Sequence, residues 1–133
     1  MRKYLWLFLL MPPAVLLAAA GADWLTQVPD RERQKANPYH DQPHAIAAGR
    51  LLFQEHCAQC HGDNAQGMSK RPSLRTERIQ SQATEGELRW LLANGNRRRG
   101  MPSWSKLPDQ QLWQLITYLK SLNESDGVPV KPN

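Results

Sequence analysis

The sequence predicts an all-α fold, with three helices gathered around one site. Three observations lead there. Apolar residues recur at helical spacing in three stretches, about 42–56, 84–93 and 108–122. No strand–helix–strand alternation appears between them. The only two cysteines stand together in Cys57-Ala58-Gln59-Cys60-His61, directly after the first helical stretch.

The chain has 133 residues, room for one domain with a modest core. It is 22% charged with a net charge of +5, and its basic residues are mostly interspersed with acids. No groove-binding or RNA-binding motif accompanies that charge, so a nucleic-acid partner is not expected.

Arg2 and Lys3 precede an uncharged run over residues 4–22 that ends Ala20-Gly21-Ala22. This is the layout of a secretory signal, with cleavage expected after Ala22. The run is also just long enough to be an uncleaved membrane anchor, although Pro12 and Pro13 interrupt it. Either way the remainder is exported, to the periplasm in a bacterium, free or held at the inner membrane. Residues 23–40 carry Pro29, Pro38 and the mixed charges Asp30-Arg31-Glu32-Arg33 without a sustained stripe. They read as a polar linker, the alternative being a short element packed on the domain. The domain itself is expected over 41–122, with a disordered tail at 123–133.

Asp41 is placed to cap the first helix, which has Pro43 in its first turn. Ile46, Gly49, Leu52 and Phe53 share one face. The helix delivers C-x-x-C-H, the attachment signature of a c-type haem. Two thiols at this spacing can each form a thioether to one haem vinyl. His61 then falls where an imidazole can ligate the iron. A bare C-x-x-C also suits a redox pair or half a zinc site. The immediate His, the lack of a second C-x-x-C and the missing βαβ pattern argue against both.

Beyond the motif, Gly62-Asp63-Asn64-Ala65-Gln66-Gly67 is rich in turn formers and reads as an Ω-like loop. Thr84 and Glu87 form a capping box for the middle helix, which carries Leu88, Trp90, Leu91 and Leu92 and stops at Asn94-Gly95. The last helix runs from Pro108 to about Leu122, with Leu112, Leu115, Ile116 and Leu119 on one stripe. Pro108 suits a first helical position but leaves no side-chain cap.

These residues together resemble a bacterial class I cytochrome c, of the mono-haem type ligated by His and Met. The resemblance covers residues 41–122 and implies the cytochrome c fold. In that family the first and last helices cross through a Gly and an aromatic. Gly49 and Phe53 match one side of the crossing, and Leu115 and Tyr118 the other. The resemblance also implies that Pro72, 11 residues after His61, turns its carbonyl to the proximal imidazole; a plain loop proline is the alternative. It implies Met101, 40 residues after His61, as the second axial ligand. Its soft, neutral sulfur favours reduced iron. Met68 is a rival on a loop too close to His61, and His40, His44 and His56 are further rivals. An open sixth position is the remaining possibility. Trp90 and Trp104 either offer indole N–H groups to the haem propionates or are simply core.

A haem with two protein ligands leaves no place for substrate, so one-electron transfer is the expected activity. No Ser/His/Asp set, phosphate loop or paired carboxylate motif suggests an enzyme. The resemblance implies a periplasmic electron carrier between a dehydrogenase or quinol-oxidising complex and an oxidase or other cytochrome. The pattern from Gly95 to Trp104 is similar to that of small cytochromes served by quinoprotein dehydrogenases. Arg97-Arg98-Arg99 reads as a docking patch for an acidic partner, or as a solvated loop with one propionate contact. The rival functions are a haem enzyme or gas sensor with a labile sixth ligand, and a fixed cytochrome subunit of a membrane complex. Contact with a membrane is expected only if residues 1–22 are retained.

Overall fold

Pro43 decides where the first long helix begins. The residue before a proline is pushed out of the helical region, and Gln42 accordingly has φ −79°, ψ 122° and becomes the N-cap. The computed structural model describes residues 23–122. Both the signal or anchor expected at 1–22 and the tail expected at 123–133 lie outside the described residues. The helices are α1 (Asp30–Arg33), α2 (Pro43–His56), α3 (Ala58–His61), α4 (Glu85–Asn94) and α5 (Asp109–Ser121). Short 3-10 turns occupy Trp24–Gln27 and Arg97–Arg99, and a π turn occupies Arg78–Gln82. No strand occurs among the described residues, only two isolated bridges, Met68 with Arg71 and Asn96 with Met101.

The core is built on the crossing of α2 and α5. A Cβ built on Gly49 would lie 2.0 Å from the Gln114 carbonyl oxygen and 2.8 Å from the Tyr118 Cβ. The two backbones therefore touch at Gly49, and any side chain there would part them. One turn on, the Phe53 and Tyr118 rings stand 5.4 Å apart at 54°, a tilted pairing favoured by the ring quadrupoles. Phe53, Leu115 and Ile116 are fully buried.

The middle helix α4 starts with the expected capping box: Thr84 Oγ1 accepts from Glu87 N at 3.1 Å, and Thr84 N donates to Glu87 Oε2 at 2.7 Å. Gly95 ends it at φ 71°. The last helix begins after Pro108 without a side-chain cap. Asp109 in its first turn instead accepts from Trp113 Nε1 at 3.0 Å and from Arg89 Nε at 2.7 Å.

Two expectations need correction. Asp41 does not cap α2; it sits one residue too early, at φ 55°, because Pro43 hands the cap position to Gln42. Nor is 23–40 a loose polar linker. Val28 is 4% exposed and Asn37 7% exposed. Arg33 donates to Glu87 Oε1 at 2.5 Å and to the carbonyls of Leu25 and Val28 at 2.9 and 3.0 Å. Asn37 Nδ2 donates to Glu85 Oε1 and Thr117 Oγ1, both at 2.9 Å. The segment approaches α4 at Gly86, where a Cβ would lie 2.1 Å from the Glu32 carbonyl oxygen. Polar side chains anchor it, so it carries no apolar stripe for periodicity to find.

The π turn Arg78–Gln82 was also not legible. Lys120 of α5 holds it by donating to the carbonyls of Ile79, Gln80 and Ala83 at 2.8, 2.9 and 2.6 Å. Burial pulls this ammonium below the ordinary lysine pKa, against the opposing pull of Glu85 and Glu87.

Gly49→Ala should destabilise the folded protein by about 3 kcal/mol, because the clash is with backbone that cannot rotate away. Denaturant unfolding of wild type and variant, compared at their midpoints, checks this. A change of under about 0.5 kcal/mol would mean that the crossing can open to admit a methyl group.

Candidate functional site

The site begins where α2 ends. Cys57 N donates to the Phe53 carbonyl at 2.8 Å, closing the last turn of α2, and the Cys57 carbonyl accepts from His61 N at 2.9 Å, opening α3. A single turn therefore links both cysteines and the histidine. Cys57 is half-buried and Cys60 exposed. Burial, with a smaller push from Cys60 beside it, raises the Cys57 thiol to about 12.

The His61 ring is held from behind. Its Nδ1 lies 2.9 Å from the Pro72 carbonyl oxygen. A carbonyl can only accept, so Nδ1 is the donor here and Nε2 is the nitrogen left to face a ligand. The loop between them is tightly folded: Gly67 N donates to the His61 carbonyl at 2.7 Å and Leu74 N to the Ala65 carbonyl at 2.9 Å. Gly67, at φ 87°, lies where a Cβ would meet Ser73 N at 2.7 Å. Arg75 Nε reinforces the loop by donating to the Asn64 carbonyl at 2.5 Å.

Met101 stands on a second closed loop. Asn96 and Met101 exchange backbone hydrogen bonds at 2.9 and 3.0 Å. Gly100 turns the chain at φ 78°, ψ 15°, the left-handed region that favours glycine. Trp104 N donates to the Leu92 carbonyl at 2.8 Å and Ser103 Oγ to the Ala93 carbonyl at 2.5 Å, fastening the loop to α4. Met101 is half-buried against the apolar core.

The rival ligands are placed otherwise. Met68 is 50% exposed in the turn paired with Arg71. His40 contacts Glu85 Oε2 at 3.0 Å, at the start of α4. His44 is exposed in the first turn of α2. His56 packs its ring 5.2 Å from that of Trp104. Trp90 and Trp104 are both half-buried. Arg97, Arg98 and Arg99 are exposed on the one-turn helix beside Met101. No role for Arg71 is legible in the sequence; its Nη1 donates to the Arg99 carbonyl at 2.9 Å.

The donor set fits a haem c: two thiols and a pinned imidazole on one turn, with a thioether on a separate closed loop. Among the described residues no three His, Cys, Asp or Glu side chains converge as a zinc site would require. The comparisons agree. A family described as cytochrome c oxidase, cbb3-type, subunit III matches residues 44–119, more than half of the chain.

The chain belongs to this family of c-type cytochromes.

The cytochrome is also similar in structure to cytochrome CL from the marine methylotrophic bacterium Methylophaga aminisulfidivorans MPT, with a TM-score of 0.56 and 25% identity. That match covers 65% of this chain and 58% of the other, so the cytochrome spans little more than half of its neighbour's length. None of the curated proteins matches. The fold is that of a cytochrome c, and the cofactor is haem c bound covalently, with Cys57 and Cys60 fitting the attachment motif.

Haem should therefore stay with the polypeptide when the purified cytochrome is extracted with acidified acetone. Replacing Cys57 and Cys60 together by Ala should send the pigment into the organic phase or prevent its incorporation. Retention of the pigment by the double variant would show that the attachment lies elsewhere.

Proposed function

We propose that this cytochrome is a one-electron carrier of the periplasm. It takes electrons from a dehydrogenase, in particular a quinoprotein dehydrogenase, or from a quinol-oxidising complex. It passes them to a terminal oxidase or to another cytochrome. The observation that carries the reading is the closed loop presenting Met101, tied through paired backbone bonds to Asn96. A ligand on a loop fastened at both ends leaves no open position for substrate. When bound, haem c supplies a one-electron iron couple whose potential a thioether ligand raises. The chain's own part is to fix the imidazole through Pro72, to close the loop of Met101, and to present a surface to partners.

That surface is Arg97, Arg98 and Arg99. None of the three lies within ion-pair distance of a carboxylate of the described residues. Their charge is available to steer an acidic partner toward the loop beside the ligand. Trp90 and Trp104 are the proposed indole donors to the propionates. Periplasmic placement rests on the signal-like residues 1–22. Among the described residues no helix is long and apolar enough to cross a membrane.

A second reading has an observation of its own. The family's description names an oxidase subunit, which favours a cytochrome fixed in a membrane complex through a retained residue 1–22 anchor. Membrane fractionation with N-terminal sequencing separates the two readings: a soluble chain starting at Asp23 supports the shuttle, and a membrane-bound chain starting at Met1 supports the subunit.

Two outcomes test the carrier. Met101→Ala should abolish the near-infrared sulfur-to-iron band of the oxidised protein. It should also lower the midpoint potential by roughly a tenth to several tenths of a volt, within the span of about 0.8 V that axial ligands set. A band absent from the wild type, with ready uptake of azide, would instead indicate an enzyme or gas sensor. Association with the redox partner should slow by about tenfold or more from low to high salt. Replacing Arg97, Arg98 and Arg99 by Gln should flatten that dependence; an unchanged slope would remove the docking patch.

A further inference from the structure

The two loops of the site are joined to each other by one side chain. Arg71 precedes the proline whose carbonyl holds His61. Its backbone is immobilised by a tight turn, with Arg71 N donating to the Met68 carbonyl at 2.7 Å and Met68 N to the Arg71 carbonyl at 3.2 Å. From that anchor the side chain crosses to the loop of Met101, where Nη1 donates to the Arg99 carbonyl oxygen at 2.9 Å. This carbonyl belongs to the end of the one-turn helix Arg97–Arg99, where backbone acceptors lack helical partners and a cation is favoured.

Gly100 completes the contact. A Cβ there would stand 2.6 Å from Nη1 and 3.3 Å from Nη2 of Arg71. The guanidinium therefore lies against the bare backbone of the residue directly before Met101. Charge does not explain this placement. Arg71 has no carboxylate within ion-pair distance among the described residues and sits beside three further arginines. A lone surface arginine would move away from them; this one is held where it can donate to the backbone.

We propose that Arg71 is a positioning residue that ties the loop carrying Met101 to the loop that orients His61. The inference rests on the reading of Met101 as the sixth ligand. With haem bound, an outward movement of the loop that carries Met101 would have to break the bond from Arg71 to Arg99. The side chain thus acts on the rate of opening rather than on either ligand's chemistry.

The test uses the oxidised holoprotein with imidazole at a pH above the imidazolium pKa, where the incoming ligand carries no charge. Arg71→Ala should speed imidazole uptake by about fivefold, a modest value for an exposed hydrogen bond from a charged donor. Arg71→Lys should recover part of the difference, since an ammonium can still reach a carbonyl. Lys70→Ala removes the neighbouring charge, and Lys70 has no bond to the Met101 loop, so wild-type uptake is expected. Equal rates for wild type and Arg71→Ala, with the near-infrared sulfur band present in both, overturn the proposal and leave the Met101 reading standing. Equal acceleration by Arg71→Ala and Lys70→Ala overturns it as well, since charge and not the tie would then be responsible. A wild-type protein without the sulfur band overturns the ligand reading, and the proposal with it.

Discussion

The contact of two backbones at Gly49 is the constraint on which the rest depends. It fixes how closely α2 and α5 approach, and so where Phe53 meets Tyr118. Four residues after Phe53 stands Cys57, whose amide closes the final turn of α2 on the Phe53 carbonyl. The position of the haem-binding turn is thereby inherited from the helix crossing. A looser crossing would leave Cys57, Cys60 and His61 attached to a helix end with no fixed place in the core. Packing in a small domain thus decides the position of an imidazole several residues away.

The remainder of the site is loop, and loops need other restraints. Neither the segment from His61 to Pro72 nor that from Gly95 to Trp104 belongs to a long helix. Each is closed by backbone bonds and by glycines that turn the chain where side chains would collide. The imidazole is oriented by a carbonyl, which sets its tautomer without adding charge. The thioether is presented by a loop sewn to the end of α4. Arg71 spans the two, so the two loops form one connected unit rather than two independent arms.

The N-terminal strap shows a different kind of organisation. Arg33 reaches Glu87, and Glu87 simultaneously completes the capping box of α4. Asn37 meets Glu85 and Thr117, so α1 and the chain after it are joined to both α4 and α5. Buried polar groups of this kind need partners, because an unpaired one costs more than a made bond contributes. Such matching is a property of pairs distant in sequence. The composition of 23–40, with its prolines and mixed charges, reads as a linker for that reason. The π turn at Arg78–Gln82 was hidden in the same way, since the lysine that holds it lies about 40 residues further on.

Local signals were enough for much of this protein. The spacing of Cys57, Cys60 and His61, the stripe on α5, the box of Thr84 and Glu87, and the stop at Gly95 are written within a few residues of where they act. Near-neighbour sterics and hydrogen bonding determine them, so the sequence alone specifies the helices and the cofactor class, with Cys57 and Cys60 fitting its attachment motif. Beyond the helix crossing that the family resemblance implied, tertiary structure decided the contacts between distant segments; Gln42 rather than Asp41 at the start of α2 is a local correction, set by the demand of Pro43. The packed strap, the ring of Trp104 against His56 and the reach of Arg71 to Arg99 all involve segments brought together by the fold, whereas the carbonyl behind His61 closes a local loop and was implied by the family resemblance. No periodicity encodes such contacts, because their partners are chosen by the fold and not by the intervening chain.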